Sequence, residues 1–402
     1  MREAVIVDAV RTPIGKYKGS LKYIRPDDLG AMVIKALIER NPTLPPSAIE
    51  EVVMGNANQA GEDNRNVARM SSLLADLPVE VAGTTINRLC GSGLDAINYA
   101  ARAILVGEGD IFIAGGTESM TRAPMVMAKP QAEFPRGNME IFDTTIGWRF
   151  INKKLQNKYG TDSMPETAEN VARQYQISRE EQDEFAAQSQ ARAQKAIESG
   201  CFEQEIIPII YKDKKGKETV IKHDEHPRAD TTVEKLAKLK PLFSNGTVTA
   251  GNASGVNDGA SALLIMERKK AEELGFKPLA KYIVSAAAGI EPSIMGMGPV
   301  YAVQKALKRA GLTMKEIDLV ELNEAFAAQS LACISELGLN KEQVNVNGGA
   351  IAFGHPLGAS GARILTTLLY EMKKRGSKYG LATMCVGVGQ GIATIIESIE
   401  ES

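Results

Sequence analysis

Part of this chain is written twice, and that restricts its fold more than any other feature. Lys35-Ala36-Leu37, then Ile49-x-x-Val52-x-Met54, returns as Lys305-Ala306-Leu307, then Ile317-x-x-Val320-x-Leu322. Further on, Cys90-Gly91-Ser92-Gly93-Leu94-Asp95-Ala96-Ile97 lines up with Gly358-Ala359-Ser360-Gly361-Ala362-Arg363-Ile364. Both are Ser-Gly helix starts. Each helix leads to a strand ending in glycines, Ile111 to Gly116 and Leu381 to Gly389. A unit of this kind copied once predicts two similar α/β domains facing each other. The strand–helix–strand rhythm predicts mainly parallel sheets covered by helices. Sites in such sheets lie beyond the carboxyl ends of the strands, and here two sets of ends could converge.

Between the copies the pattern changes. Residues 120 to about 250 lose the rhythm: Pro, Met and charge dominate as far as 165, and one amphipathic helical stretch runs from Thr167 to Ser199. A charged hairpin-like segment follows through Lys212-Asp213-Lys214-Lys215-Gly216-Lys217. This reads as an inserted loop-and-helix region of the kind that covers a site. The predicted division is 1–119 plus about 257–277, then 120–256, then 278–402.

The bulk numbers exclude several classes. Net charge is −2 over 402 residues with no long basic run, which argues against nucleic acid or an anionic membrane as partner. Four cysteines, with no CxxC, argue against a disulfide framework or a zinc site. No signal peptide, long apolar span, lipidation motif or peroxisomal ending at Glu401-Ser402 is evident, so a soluble cytoplasmic protein is expected. Gly387-x-Gly389-x-Gly391 precedes another strand-like run, Ile392 to Ile396, where a dinucleotide fingerprint needs a helix. His223-Asp224-Glu225-His226 reads as a solvated surface cluster rather than a metal site.

Four polar spots fall on strand ends or helix starts. Cys90 follows an extended Val79–Ile86 run and precedes a helix whose Ser92 and Asp95 have capping-box spacing. The helix dipole and unpaired N–H groups there favour a thiolate nucleophile; a small buried hydrophobe is the alternative. His355 is one of three histidines and the one in a glycine-rich turn before a helix, which suits a general base or a turn histidine bonded to backbone. Asn323, at the end of strand Leu319–Leu322, suits an oxyanion donor or a helix N-cap. Cys385, at the end of a buried strand, suits a proton shuttle or a structural thiol. Cys201 and Cys333 read as packing residues in helices, and Met164, Met295 and Met297 as core or as the wall of an acyl slot.

Together, Asn87-Arg88-Leu89-Cys90-Gly91-Ser92-Gly93, Asn323-Glu324-Ala325-Phe326, Gly354-His355-Pro356 and Cys385-Val386-Gly387 resemble the thiolase family, in its order and near its spacing. The resemblance covers essentially the whole chain. It implies a five-layer αβαβα fold from two duplicated βαβαβαββ-type halves, with an inserted loop domain for coenzyme A. It also implies a homodimer, commonly a dimer of dimers, with CoA and acetyl-CoA as substrates, no prosthetic group and no metal. Carried across, Cys90 resembles the nucleophile, His355 its base, and Asn323 the holder of an oxyanion-hole water. The Cys90 and Gly387 N–H groups resemble a second oxyanion hole, and Cys385 resembles the carbon acid–base. Ser254 and Arg228 resemble contacts to coenzyme A, with Met164, Ala325 and Phe326 at the pocket. The implied reaction is reversible cleavage of 3-oxoacyl-CoA through a Cys90 thioester, as in fatty-acid β-oxidation.

One departure concerns the substrate. Members specialised for acetoacetyl-CoA carry His-Met where this chain has Ser163-Met164. The segments 142–152, 162–165 and 226–230 look most like 3-oxoadipyl-CoA thiolases, and Arg149 could meet a terminal carboxylate. The alternative, slightly favoured, is a broad-range enzyme with Arg149 structural. A thioesterase or acyl synthase with the same Cys–His pair, and a non-catalytic acyl-CoA-binding module, are the remaining readings. A decarboxylating synthase of this fold would place a histidine at Asn323.

Overall fold

The computed structural model describes residues 2–212 and 215–399. Asp213 and Lys214, at the turn of the charged hairpin, and the terminal Glu401-Ser402 lie outside these. In chain order the framework is β1 (Ala4–Arg11), α1 (Pro26–Arg40), β2 (Glu51–Gly55), β3 (Ala82–Ile86), α2 (Ser92–Val106) and β4 (Ile111–Ser119). After the insertion come β5 (Asn257–Glu267), β6 (Ala280–Gly289), α3 (Gly298–Ala310), β7 (Leu319–Leu322), α4 (Ala327–Leu337), α5 (Leu357–Arg375), β8 (Tyr379–Val386) and β9 (Gln390–Ser398).

The strands form one hydrogen-bonded path in the order β7-β8-β9-β6-β1-β5-β4-β2-β3. The two copies join at β1 and β6, through Val5–Lys281 and Ile6–Ala280. The sheets are mixed, which corrects the expected parallel arrangement. Only β2–β3, β2–β4 and β7–β8 run parallel. The insertion brings the chain back from the far end of β4, so β5 enters antiparallel between β1 and β4. The tight 387–389 turn between β8 and β9 likewise forces an antiparallel pair.

The core has three layers of side chains. On β4, Ile111 and Ile113 face outward against Leu29, Val33 and Leu37 of α1. Phe112 and Ala114 alternate inward against Leu94 and Ile97 of α2. The same inner layer holds Leu365, Leu368 and Leu369 of α5, and Met384 and Ile392 from the second copy's strands. Val300, Val303 and Leu307 of α3 close the other outer face over Leu381 and Ile395. Each such side chain contributes about 1.5–3 kcal/mol on burial. The result is helix, sheet, paired central helices, sheet, helix.

The two matching helix starts pack directly against each other. A Cβ on Gly93 would stand 2.6 Å from the Gly358 carbonyl oxygen, and one on Gly361 would stand 2.3 Å from the Leu94 nitrogen. Backbone cannot rotate aside as a side chain can. Gly361→Ala should therefore lose about 1–3 kcal/mol, against a helix-propensity gain of about 1 kcal/mol. A lowered urea midpoint is the expected reading; an unchanged one would show that the helices can part.

Local expectations are corrected in two places. Thr167–Ser199 is not one helix but Met164–Gln174 and Arg179–Glu198, broken at Gln176 (φ 55°) and restarted by a Ser178–Glu181 capping box. Ser92 and Asp95 do not form a capping box. Ser92 Oγ accepts from the Arg88 N–H at 2.9 Å, and Asp95 pairs with the Arg88 guanidinium at 2.7 Å.

Candidate active site

Cys90 sits in a single 3-10 turn, Leu89–Gly91, between β3 and α2. Leu89 before it is held at φ +47°. The turn is fixed by Arg88, which also reaches Gln390 Oε1 of the second copy at 3.0 Å. The Gly387 N–H, at the start of the β8–β9 turn, is hydrogen-bonded to the Cys90 thiol, and the backbone N–H of Cys90 itself also faces the sulfur. Val388, just beyond, is at φ +63°, a costly conformation for a β-branched residue. Both strained residues flank amide donors aimed at the sulfur.

Burial pushes the Cys90 thiol up to about 11, with the Glu118 carboxylate adding to the rise and the two N–H groups opposing it. The low thiol pKa expected from the helix start is therefore corrected. Here desolvation outweighs the dipole and the amide donors. At neutral pH the sulfur holds its proton until a base takes it.

His355 is the candidate for that base. It lies in the turn between the short helix Ala350–Phe353 and α5. Its Nδ1 is 2.6 Å from Ser360 Oγ, whose single hydrogen goes to the Pro356 carbonyl at 2.9 Å. Ser360 can therefore only accept from the ring, so Nδ1 carries the proton and Nε2 a free lone pair. Burial pushes the imidazole down to about 3, with the Arg363 cation adding to it, so the ring is neutral and Nε2 is unprotonated. Asn323 Nδ2 lies 3.5 Å from Nε2. The Asn323 N–H is bonded to the Thr383 carbonyl on β8, and its Oδ1 has no partner among the described residues. The α4 helix is capped by Phe326, which removes the N-cap reading for Asn323.

Cys385 is the penultimate residue of β8. Burial, then the nearby Cys90 and Cys333 thiols, push it well above the ordinary thiol range. It packs in an apolar cluster with Met295, Phe326, Ala325, Val248 and Met164. Met164 and Met295 thus line this cluster, while Met297 belongs to the outer core under α3. Cys333 is buried in α4, as expected, but Cys201 sits beyond a helix end, with Lys374 Nζ 3.0 Å from its sulfur.

The insertion supplies a strap, 247–257, along this cluster. Ser254 N–H donates to the Ala325 carbonyl at 3.0 Å, and Ala253 bridges Phe326. Arg228 is exposed, with its N–H on Gln190 Oε1. The neighbouring 223–226 segment is not a solvated cluster throughout. Asp224 is buried against Arg11 at 2.7 Å, and Glu225 accepts from Ser20 N–H at 2.8 Å. Among the described residues no group of three or more His, Cys, Asp or Glu is placed to hold a metal.

Chain and architecture now meet known proteins at both levels. Residues 4–269 match the family "Thiolase, N-terminal domain", and residues 276–398 match "Thiolase, C-terminal domain". The chain is a thiolase. It is 58% identical over 402 residues to a beta-ketoadipyl-CoA thiolase of Acinetobacter baylyi, covering 99% of this chain and 100% of the relative. It is 57% identical, with the same coverage, to the 3-oxoadipyl-CoA/3-oxo-5,6-dehydrosuberyl-CoA thiolase of Escherichia coli. Among solved structures, a Bacillus anthracis acetyl-CoA acetyltransferase superposes with a TM-score of 0.93 at 43% identity, covering 99% of both chains. The thiolase is accordingly an acyltransferase that cleaves 3-oxoacyl-CoA with coenzyme A as substrate. No helix among its described residues is long and apolar enough to cross a membrane.

Four residues of this thiolase's site escaped sequence reading. Ser360 sets the His355 tautomer. Asn257 accepts the His355 N–H at 2.9 Å. Glu324, buried, accepts from Ser189, Asn345 and the Ile351 N–H, tying the Asn323 turn to the segment before His355. Glu118 accepts from Gly358 N–H on α5 and Ala57 N–H after β2, both at 2.8 Å. Ser360 sits in the repeat and Glu324 beside Asn323, so only their partners were hidden. Asn257 and Glu118 carry no local signal.

Proposed function

We propose that this thiolase acts on a 3-oxoacyl-CoA whose acyl chain ends in a carboxylate, of the 3-oxoadipyl-CoA class. Arg149 carries the proposal: it is half-buried yet has no hydrogen-bond or ion-pair partner among the described residues. A partly exposed guanidinium without a counter-ion is free to pair with an arriving carboxylate. Next to it, the Trp148 indole N–H donates to the Asp162 carbonyl at 3.2 Å, two residues before Met164. Relatives named beta-ketoadipyl-CoA thiolase stand at up to 58% identity, and an acetyl-CoA acetyltransferase of Chromobacterium violaceum at 50%. That order favours the dicarboxylic reading over the broad-range one.

The roles follow from the chemistry. His355 Nε2 takes the Cys90 proton, and the sulfur attacks the 3-oxo carbon. The C2–C3 bond breaks, the acyl group stays on Cys90 as a thioester, and the acetyl-CoA carbanion takes a proton from Cys385. A second coenzyme A gives its thiol proton to the Cys385 thiolate and attacks the thioester; acyl-CoA leaves, which is succinyl-CoA when the substrate is 3-oxoadipyl-CoA, and the Cys90 sulfur recovers its proton from His355. Asn323 holds a water that, with His355, stabilises one oxyanion, and the Cys90 and Gly387 N–H groups stabilise the other. Ser254 and Arg228 contact coenzyme A; Met164, Ala325 and Phe326 line the pocket. The chain works as a homodimer or dimer of dimers in the cytoplasm, and the division into 1–119 with 257–277, 120–256 and 278–402 assigns coenzyme A to the middle part.

A thiolytic series tests the substrate. The kcat/KM for 3-oxoadipyl-CoA should exceed that for 3-oxohexanoyl-CoA by at least about tenfold, and Arg149→Met should erase most of that preference, since a buried charged hydrogen bond contributes about 1.5–3 kcal/mol. Equal use of both substrates by the unmodified enzyme would return the broad-range reading.

A further inference from the structure

Among the buried polar side chains at the site that the mechanism leaves without a role is Asn257. Asn257, the first residue of β5, has no exposed surface. Its Oδ1 accepts the backbone N–H of His355 at 2.9 Å. Its Nδ2 donates to the Gly15 carbonyl at 3.0 Å and lies 3.3 Å from His226 Nδ1. Turning the carboxamide over would set oxygen against the Gly15 carbonyl, so these partners fix its orientation. Both neighbouring turns close on it. A Cβ on Gly354, the residue before His355 and at φ +99°, would stand 2.2 Å from Asn257 Cγ. A Cβ on Gly255 would stand 2.3 Å from His226 Cε1. No side chain larger than hydrogen fits either place.

We propose that Asn257 is a positioning residue for His355 and ties the base to the 224–228 segment that ends at Arg228. The proposal rests on the assignment of His355 as base and Arg228 as a coenzyme A contact. One carboxamide holds the backbone of the base on one side and the root of the coenzyme A segment on the other. The root itself is rigid. Asp224 is fixed by Arg11 and accepts the Ile14 N–H at 2.8 Å, and Glu225 is fixed by Ser20. Burial pushes the His226 imidazole down to about 4, so it stays neutral and keeps an acceptor for Nδ2. The strap continues the link. Asn252 donates from Nδ2 to Asp183 at 3.0 Å, and the Ala327 N–H at the start of α4 donates to the Asn252 carbonyl at 2.9 Å. Residues 252–257 therefore touch the Asn323–Phe326 turn, the His355 turn and the coenzyme A segment in one short run.

The test uses three variants of the full-length enzyme with kcat, the KM for coenzyme A and the pH–rate profile of Cys90 alkylation by iodoacetamide. Asn257→Ala should lower kcat at least about 30-fold, because a base displaced by a fraction of an ångström loses much of its effect. The KM for coenzyme A should change less than about threefold, and alkylation should need a higher pH. Asn257→Asp keeps the acceptor facing the His355 N–H, and its second oxygen, protonated in this buried place, can donate to the Gly15 carbonyl, so it should recover about tenfold of that loss. His226→Ala severs only the far side and should raise the KM for coenzyme A at least about threefold with a smaller fall in kcat. Normal kcat in Asn257→Ala, or equal loss in the Ala and Asp variants, overturns the positioning role. An unchanged KM in His226→Ala overturns the tie to the coenzyme A segment. His355→Ala, run alongside, separates the two levels: retained turnover there refutes the base assignment, and lost turnover with normal Asn257→Ala refutes only the present proposal. If Asn257→Ala does not fold, the Asp and His226 variants still decide.

Discussion

Cys90→Ala is expected to cut CoA-dependent cleavage of 3-oxoacyl-CoA by at least about 1,000-fold while the fold stays intact. The reason is that the proposed route passes through a thioester on the Cys90 sulfur, beside the Gly387 and Cys90 amide donors. The side chain is half-buried against the inner core, so removing one sulfur leaves a small void rather than a collapsed layer. Thermal unfolding should move by only a few degrees. Substantial turnover in this variant would show that the acyl group never rests on Cys90. The high thiol pKa adds a second expectation. Alkylation of free enzyme should be slow at neutral pH and, with His355 proposed as the base, should slow further in His355→Ala.

Cys385→Ser should separate two steps that Cys90→Ala abolishes together. Carbon–carbon cleavage needs a proton delivered to the acetyl-CoA carbanion. A buried thiol held in its protonated form can supply it, whereas a serine hydroxyl is a far weaker acid. Cleavage of 3-oxoacyl-CoA should fall by about 100-fold or more. Exchange of an acyl group between acyl-CoA and radiolabelled coenzyme A makes no carbanion and should fall by less than about tenfold. Equal loss in both assays would put Cys385 in acylation and undo the division of labour. Serine nearly matches the thiol in shape, so the apolar cluster of Met295, Phe326 and Met164 should survive the change.

Much of this candidate site is proposed from the sequence because its residues sit at the punctuation of a repeat. Cys90, Asn323, His355 and Cys385 each end a strand or precede a helix, and glycines mark all of those places except the one at Asn323. What the sequence hid was direction and environment. A strand run reads alike whether it enters a sheet parallel or antiparallel, so the return of β5 could not be foreseen. The pKa of Cys90 is set by how deeply the second copy's β8–β9 turn covers it, and no local motif reports that. Asp224 shows the same limit from the other side: within a charged run it reads as solvated, and only Arg11, far off in the chain, makes it a buried anchor. Asn257 looks like any strand-opening asparagine until His226 and His355 are brought to either end of its carboxamide.

The close packing of the two helix starts, Gly93 on Gly358 and Gly361 on Leu94, has a consequence for how such a chain can change over generations. The copies touch where they are most alike, at matching helix starts, and neither side has room for a larger residue. Drift in one half is therefore checked by the other. A few residues upstream of each helix start no such reciprocity holds, and there the copies have parted company, one carrying Cys90 and the other His355. The molecule keeps its symmetry at the pivot and spends its divergence at the rim.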